Sequence, residues 1–350
     1  MVRWLVVLML VTLLAGAKLQ DFSALLPPIL NARLDELVRA ASDTCMLRGD
    51  ALPVDILFSR QYTVESPNLN IVEFTRHGQR SYRVTKAHLK TGADASQLVV
   101  YVPGWWNTPS DESTQAIVKA LLTKHPIILV LDTQLAFCRG YVSSASRVKS
   151  LAQALYSFLK KLNQNGYPLP SAHLIGFSLG AHVVGIVGKM VRNKLDTRIG
   201  RITALDPAKP CFSKTKYRID VNDAVFTQVV HSSPGVLGVE EPVGHVDVYL
   251  NGIRPQPECM NVTVTLECDH SQAWRAYTKS VLNKTALVGR ECSDWGPLVD
   301  DKCDGREAVV GYGVSSTLRG IYVVKTVQGN IVEPAIQLRV FNPFDIHTWW

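Results

Sequence analysis

The sequence predicts an α/β fold, a mainly parallel central sheet with helices on both faces. Three observations indicate this class. From residue 98 onwards, short apolar segments rich in β-branched residues recur along the chain, and segments with helical periodicity separate them. The apolar segments do not alternate with polar residues, so neither face of the sheet is expected to meet solvent. Strands buried on both faces are typical of parallel sheets.

The clearest part of this pattern contains four strands with a helix between each pair. The strands are LVVYV (98–102), PIILVLD (126–132), AHLIG (172–176) and RITALD (201–206). The helices are predicted at 113–123, 143–162 and 181–191. The second helix is amphipathic, with one apolar stripe made of Val148, Leu151, Leu155, Phe158 and Leu159. Ligands in such sheets bind at the carboxyl ends of the strands.

Beyond Asp206 the pattern loosens. Turn signals surround the strand-like segments VFTQVV (225–230) and VDVYL (246–250), and further strands are predicted within 306–340. The sequence has no internal repeat and no low-complexity linker. We therefore predict a single domain over residues 18–350.

The first 17 residues have the composition of a secretory signal peptide. Arg3 precedes an uninterrupted apolar stretch, and Ala15-Gly16-Ala17 has the small residues of a cleavage site. The stretch is too short for a stable membrane span, and no later one is long and apolar enough. We expect residues 18–350 to be exported, with no transmembrane segment.

Charge and cysteine content narrow the functional class. The net charge of +7 is spread along the chain without a dense basic run, so no nucleic-acid partner is predicted. Seven cysteines in an exported chain predict disulfides, with at least one cysteine left over unless it pairs between chains. None has the CxxC spacing of a zinc or redox site. Asn-x-Thr sequons at Asn261 and Asn283 predict glycans on exposed loops.

Ser178 lies between two glycines in GFSLG, after a strand and before a helix. Such a turn is so sharp that only glycines fit beside it, and it exposes the serine hydroxyl above the sheet. The N–H group of Leu179 and the dipole of the helix face the same space. The alternative is a structural turn that begins a buried helix.

A serine nucleophile needs a base and a group that orients the base. Asp206 ends the next strand in ALDPAKP, although an Asx turn before Pro207 would explain it equally well. Among the later histidines, His231 and His245 fall in or beside strands and are interpreted as core or turn residues. His347 lies near the end of the sequence. His270, close to Cys268, is the candidate base, on a loop fixed by a disulfide.

Four motifs in order give the chain a family resemblance. HLIGFSLGAH, ITALDPAKPCF, VGHVDVYLNG and CDHS resemble those of the animal pancreatic-type lipase family, which includes triacylglycerol lipases, phospholipases A1 and yolk proteins. The resemblance covers roughly residues 50–325. It implies an α/β-hydrolase fold with a catalytic serine, aspartate and histidine at Ser178, Asp206 and His270. We expect no C-terminal β-sandwich domain.

The resemblance also implies an oxyanion hole made by the N–H groups of Leu179 and Trp105. The loop after the first strand reads PGWWNT (103–108), whereas the family usually has His-Gly followed by a large apolar residue. Pro103 is not the expected donor, but it affects how the loop is oriented. Trp105 and Trp106 are also candidates for contact with the acyl chain, the alternative being that one of them packs in the core.

In the family, a disulfide-closed loop before the histidine forms a lid. Here Cys259 and Cys268 would close only MNVTVTLE, a short lid that resembles phospholipase A1 members. Cys292 and Cys303 match a second family disulfide. We expect Cys45 and Cys138 to form a third bridge, with Cys211 free and buried beside the Asp206 turn.

The segment TKYRIDVNDA (215–224) resembles the family's structural calcium loop. The resemblance implies carboxylate ligands from Asp220 and Asp223 and carbonyl ligands from Thr215 and Arg218, a donor set of hard oxygens that suits Ca²⁺. The alternative is a pair of surface charges. No cofactor is expected for the chemistry itself.

These interpretations predict a secreted serine esterase that releases fatty acids from phospholipid or acylglycerol at a membrane, lipoprotein or droplet surface. The competing hypothesis is a weakly active or inactive lipid-binding or yolk-type protein on the same fold. Pro103 and the loss of the family's Asp-Trp pattern at Asp132-Thr133 motivate it. Retention of Ser178, Asp206 and His270 argues against it.

Overall fold

The structure is a computed structural model that describes residues 69–86, 98–138, 141–213, 215–260 and 265–326. The predicted signal peptide, Cys45, the Asn261 sequon and His347 lie outside the described residues. So do the strands predicted beyond residue 326. Asn283 is described, and it is exposed in the turn after a helix, as its sequon predicts.

Within the described residues, eleven strands form one sheet. In chain order they are β1 Asn70–Thr75, β2 Gly78–Arg83, β3 Val99–Val102, β4 Ile127–Leu131, β5 His173–Phe177, β6 Ile199–Leu205, β7 Ala224–His231, β8 Val246–Leu250, β9 Val288–Cys292, β10 Glu307–Val309 and β11 Gly320–Val324. Their order across the sheet is β10-β9-β11-β8-β7-β6-β5-β3-β4-β1-β2.

The central seven strands, β4 to β11 in that order, are parallel, and antiparallel strands flank them at both edges. The hairpin β1–β2 extends one edge from β4, and β9 and β10 extend the other from β11. The predicted parallel sheet is therefore confirmed. The placement of residues 18–350 in a single domain stays a prediction.

Seven α-helices connect the described strands. They are α1 Glu112–Leu122, α2 Gln134–Phe137, α3 Tyr141–Ala145, α4 Val148–Gln164, α5 Leu179–Leu195, α6 Thr265–Leu282 and α7 Trp295–Val299. The long helix predicted at 143–162 is two helices, because a turn at Ser146 and Arg147 separates α3 from α4. No helix among the described residues combines the length and apolarity that crossing a membrane requires.

Helices cover the sheet on both faces. On one face α4 and α5 pack against each other, and the predicted apolar stripe of α4 is buried there. On the other face α1 packs against α6. Strand β3 shows why the sheet needs both layers, since Val100 and Val102 enter one core while Val99 and Tyr101 enter the other. The carboxyl ends of β3, β5, β6 and β7 lie side by side and leave room for a site at one edge.

Candidate active site

Ser178 lies between β5 and α5, as the sequence predicts. Its backbone has φ 55° and ψ −120°, a conformation that non-glycine residues rarely adopt. Its N–H group donates to the carbonyl oxygen of Leu205 on β6 (2.9 Å), and its carbonyl oxygen accepts from Ala208 (3.3 Å). The sharp turn is thus held against the neighbouring strand. Ser178 is only 5% exposed, so it is more buried than the exposed hydroxyl that the sequence predicts.

The two glycines beside Ser178 are required by close backbone contact. A Cβ atom at Gly176 would lie 2.4 Å from the carbonyl oxygen of Gly180, and a Cβ at Gly180 would lie 2.2 Å from that of Val102. A Cβ at Gly104 would lie 2.9 Å from the Cβ of Ser178. These glycines therefore allow the loop after β3 to lie directly against the serine turn.

Asp206 ends β6 and is fully buried. Its Oδ1 accepts hydrogen bonds from the N–H groups of Ser232 (2.8 Å) and Ser233 (3.1 Å), and its Oδ2 accepts one from the hydroxyl of Ser233. The imidazole Nδ1 of His270 lies 2.6 Å from Oδ2. The carboxylate is therefore aimed at His270 by three contacts from the segment after β7.

Burial alone would raise the pKa of the Asp206 carboxyl. The opposite effect comes from His270, through a hydrogen bond and its charge, and from the hydrogen bonds of Ser233 and Ser232. Together these interactions outweigh burial and hold the pKa of Asp206 below its ordinary value. Asp206 is therefore a carboxylate at neutral pH, with His270 as its partner.

His270 lies on α6 and not on a loop, which differs from the sequence-based expectation. Its ring packs against that of Phe177 (centroids 4.7 Å apart), the residue directly before Ser178. Its carbonyl oxygen accepts from the Ser232 hydroxyl (3.1 Å), and Asp269 beside it accepts from the N–H group of Gln256 (2.9 Å). The histidine is thus anchored through both its ring and its backbone, beside the serine turn.

The predicted oxyanion loop follows β3. Trp105 packs with Tyr141 (ring centroids 5.3 Å apart) and is partly buried against the core, so one of the two tryptophans does pack there. Trp106 has a positive φ of 59°, and its N–H group points to the carbonyl oxygen of Phe137 (3.4 Å). Leu179 begins α5, where the first N–H groups have no partner within the helix.

The family of the chain is shown by comparison with known proteins. Residues 56–313 match the Lipase family, which is well over half of the chain. The chain belongs to the lipase family. The resemblance to pancreatic-type lipases and the α/β-hydrolase fold that it implies are confirmed.

Curated relatives of this lipase-family chain include phospholipase A1 member A from Bos taurus, 34% identical over 182 residues, and lipase member H from Rattus norvegicus, 35% identical over 188 residues. The alignments cover 50% and 52% of this chain but only 39% and 40% of the relatives. The chain therefore aligns with about two fifths of the length of these relatives.

Solved structures with partial similarity include a phospholipase/carboxylesterase from Dyadobacter fermentans and an esterase from Pyrobaculum calidifontis. They are 16% and 13% identical, with TM-scores of 0.34 and 0.30. The superpositions cover 51% and 59% of this chain and 79% of each of those chains. No functional conclusion rests on similarities this low.

Two of the disulfides implied by the resemblance are present, Cys259–Cys268 and Cys292–Cys303. The first ties α6, two residues before His270, to the turn that follows β8. The third pairing was wrong, because Cys138 is a free thiol and Cys211 is disulfide-bonded. Cys211 is buried as expected. Sequence spacing could not settle this choice, because pairing of distant cysteines depends on which turns the sheet brings together.

The segment resembling a calcium loop is built around a different cation. The Nζ atom of Lys189 lies 2.7 Å and 2.6 Å from the two carboxylate oxygens of Asp223, and 2.8 Å from the carbonyl oxygen of Arg218. Asp220 accepts from the N–H of Asn222 (3.0 Å), and the Thr215 carbonyl accepts from the N–H of Arg218 (3.3 Å).

Two of the four predicted ligands, the Asp223 carboxylate and the Arg218 carbonyl, therefore do not fit a calcium ion, because an ammonium group of the protein already contacts them. Nothing in the described structure places Lys189 against the other two, Thr215 and Asp220. Within the described part of the chain, no group of three or more His, Cys, Asp or Glu side chains could hold a metal ion. The alternative of two simple surface charges is also wrong for Asp223, which is buried.

The segment 232–245, between β7 and β8, contains residues that the sequence did not single out. Ser232 and Ser233 bind Asp206, and a Cβ at Gly238 would lie 2.4 Å from Asp206 Oδ1. His231 is hydrogen-bonded in the core, as predicted, to the Val239 carbonyl (3.0 Å) and to Asp247 (3.0 Å). The sequence signals for this segment were its turn residues, Pro234-Gly235, after an apolar strand, and the start of the motif VGHVDVYLNG. Neither identified Ser232, Ser233 or Gly238.

Proposed function

We propose that this chain is a serine carboxylic-ester hydrolase that releases fatty acids from lipids. One observation carries the proposal: His270 bonds the buried carboxylate of Asp206 through Nδ1 (2.6 Å) while its ring lies against Phe177, the neighbour of Ser178. This arrangement supports the assignment of Asp206 as the acid, His270 as the base and Ser178 as the nucleophile, the set of groups that nucleophilic ester hydrolysis needs.

In the proposed reaction, the Ser178 hydroxyl attacks the ester carbonyl carbon. Because Nδ1 of His270 donates to Asp206, its Nε2 is the acceptor that takes the hydroxyl proton. Asp206 holds that tautomer and stabilises the imidazolium that forms. The imidazolium then gives its proton to the leaving alkoxide as the tetrahedral intermediate collapses to an acyl-enzyme.

We propose that the N–H groups of Leu179 and Trp105 bind the oxyanion of the tetrahedral intermediate. Support comes from the close approach of Gly180 on α5 to the carbonyl oxygens of Val102 and Pro103, which brings the two loops together. Loss of one such donor typically raises the barrier by about 3 kcal/mol. A water molecule, deprotonated by His270, then hydrolyses the acyl-enzyme and frees Ser178.

A lipid substrate is supported by features around the site. Exposed apolar side chains follow the carboxyl ends of three parallel strands: Leu135 after β4, Val236 after β7 and Met260 after β8. Exposed apolar side chains in the segments that follow these strands suit contact with acyl chains or a lipid surface. The relatives named phospholipase A1 and lipase also favour this class. Phospholipid and acylglycerol remain the two candidates.

Export is part of the proposal. The first 17 residues have signal-peptide composition, and two disulfides lie among the described residues. Disulfides persist in oxidising compartments such as the secretory pathway. The lipid surface would then be extracellular, on a membrane, lipoprotein or droplet.

The test compares wild-type protein with Ser178→Ala on phosphatidylcholine vesicles and on triacylglycerol emulsion, with release of fatty acid as the readout. We expect wild type to hydrolyse one or both lipids and Ser178→Ala to lose at least about 10³-fold in kcat. A fluorophosphonate probe should label wild type only. Folded wild type that neither reacts with the probe nor releases fatty acid would favour the lipid-binding hypothesis.

A further inference from the structure

The loop between the Asp206 turn and β7 encloses an ammonium group. Lys189, on α5, directs Nζ to three oxygens: both carboxylate oxygens of Asp223 (2.7 Å and 2.6 Å) and the carbonyl oxygen of Arg218 (2.8 Å). An ammonium group has three N–H donors, so its donors and these acceptors match in number. Three oxygens thus coordinate a cation, and that cation is a side chain of the protein itself.

Burial makes a cation necessary at this place. The Asp223 side chain is 0% exposed, and a buried carboxylate is stable as an ion only when a partner compensates its lost hydration. Among the contacts of Asp223 in the described structure, the N–H group of Asp220 (2.8 Å) supplies a hydrogen bond and Lys189 supplies the charge. Lys189 is therefore the group that neutralises Asp223.

The loop packs closely on α5 beside Lys189. A Cβ at Gly188 would lie 2.1 Å from the carbonyl oxygen of Asp223, and a Cβ at Gly185 would lie 2.9 Å from Cα of Ile219. The loop thus lies directly on the helix, and the Lys189 side chain crosses from the helix to the oxygens. A divalent ion at the same oxygens would have to displace the ammonium group.

We propose that Lys189 is the built-in cation of this loop, so that the wild-type protein takes no calcium there, and that removing the ammonium group turns the loop into a calcium site. In Lys189→Met the side chain keeps similar length but loses its charge. The Asp223 carboxylate and the Arg218 carbonyl would then have no cation beside them, and both are hard-oxygen donors of the type that Ca²⁺ prefers. This inference is independent of the proposed ester hydrolysis.

Thermal unfolding and calorimetric titration of the full-length protein test it. We expect the Tm of wild type to be the same in EDTA and in millimolar CaCl₂, with no binding heat. Lys189→Met should unfold several degrees lower in EDTA, recover part of that loss in millimolar Ca²⁺, and show binding heat. Mg²⁺ should restore less, because it gives up its water ligands reluctantly.

The matched control is Lys194→Met on the same helix, where an exposed ammonium group lies 5.5 Å from the ring centroid of Tyr156. The Tm of this control should be close to that of wild type and should be the same with and without calcium. A calcium-dependent rise in the Tm of wild type would overturn the proposal, and so would a Lys189→Met variant that is as stable as wild type in EDTA or indifferent to calcium.

A second variant covers the case in which Lys189→Met does not fold. Lys189→Met combined with Asp223→Asn removes both charges, so it should fold and recover stability relative to the single variant, and it should not bind calcium. If the double variant is no better folded than Lys189→Met, the ion pair is not what Lys189 contributes, and the proposal is wrong. None of these readouts depends on catalytic activity.

Discussion

Three residues of the candidate site hold backbone conformations that side chains rarely adopt: Trp106 (φ 59°), Ser178 (φ 55°) and Asp206 (φ 40°). Such conformations cost roughly 1–3 kcal/mol each and persist where the surroundings enforce them. They follow β3, β5 and β6, the three neighbouring strands whose ends form the site. The strain is thus concentrated at the proposed oxyanion loop, nucleophile and acid.

Gly238 gives a prediction at the residue scale. In Gly238→Ala, the new methyl group would lie 2.4 Å from Oδ1 and 2.8 Å from Cγ of Asp206, so the carboxylate must move away from its donors. A displacement of about 1 Å in a catalytic group can cost roughly 10²-fold in rate. We expect kcat on a short-chain ester to fall by about 10–100-fold, with KM nearly unchanged.

The control for this variant is Gly296→Ala in α7, where the nearest heavy atom to a new Cβ is Asp294 Oδ1 at 3.3 Å. It should keep wild-type kcat. If Gly238→Ala also keeps wild-type kcat while folded, contact between this glycine and Asp206 does not control the orientation of the acid.

Sequence alone could propose Ser178 and Asp206 because each follows a recognisable strand with its own turn residue. Gly238 and Ser233 could not be found in this way. Their role comes from a contact between β6 and the segment after β7, residues that are distant in sequence and adjacent only once the sheet has formed. Lys189 was missed for a similar reason, since it looks like an ordinary lysine within a helix.

At the scale of elements, the strands with continuous apolar sequence were predictable, whereas α6 was not. Helix α6 carries His270 but begins beside the disulfide Cys259–Cys268, and its sequence mixes polar and apolar residues. The hairpin β1–β2 was missed as well. The residues of β2 are mostly exposed, so no apolar run identifies it.

The segment 232–245 is a structural element of the site, and the buried pair of His231 and Asp247 fixes its position. His231 lies between the Val239 carbonyl and Asp247, and its ring stacks on Tyr249 (centroids 4.2 Å apart). Asp247 also accepts from the N–H groups of Val243 (2.9 Å) and Gly244 (3.0 Å). One carboxylate thus fixes both ends of the segment that supports Asp206.

Asp247→Asn is the prediction for this element. The amide replaces one acceptor oxygen of residue 247 by an N–H₂ group. One of the N–H groups that Asp247 accepts from, those of Val243 and Gly244, then loses its partner, and the charge interaction with His231 is lost. We expect the free energy of unfolding to fall by about 3 kcal/mol, and kcat to fall as well because the segment no longer holds Ser233 against Asp206. Urea titration and ester hydrolysis measure the two effects.

Glu241→Gln is the matched control, because Glu241 lies in the same segment but forms only an exposed ion pair with Arg218 (3.4 Å). Exposed pairs are worth at most about 1 kcal/mol, so stability and kcat should be close to wild type. Equal losses in the two variants would mean that the His231–Asp247 pair has no special role.

At the scale of the whole molecule, buried histidines connect elements that are distant in sequence. His173 contacts Thr203 between β5 and β6 (2.9 Å), and His125 contacts Tyr312 (2.9 Å). His182 lies 2.7 Å from the Ala208 carbonyl, accepts at Nδ1 from Ile219 (3.2 Å) and stacks on Phe212. Burial is the main reason that the pKa of each of these histidines lies below the ordinary value.

His182 links α5, the Asp206 turn and the loop around Lys189, and it makes the stability of the molecule depend on pH. Burial lowers its pKa to about 3, although the hydrogen bond to Ala208 works in the opposite direction. The unfolded chain binds a proton at this histidine below about pH 6.5, whereas the folded chain does not until about pH 3. Stability must therefore be lost as pH falls through this window and be independent of this residue above it.

His182→Gln separates this contribution from those of the other titrating groups. At pH 7.5 the variant should be less stable by about 1–3 kcal/mol, because its contacts with Ala208 and Ile219 are disturbed. Between pH 6 and pH 4, the free energy of unfolding should decline in both proteins. The slope of wild type should be steeper than that of the variant, and the difference between the slopes should be about 1.4 kcal/mol per pH unit. Urea titrations at several pH values measure both quantities, with exposed His77→Gln as a control. If the variant and wild type lose stability in parallel, His182 is already protonated in the folded protein at pH 6, and its proposed neutral role between Ala208 and Ile219 is wrong.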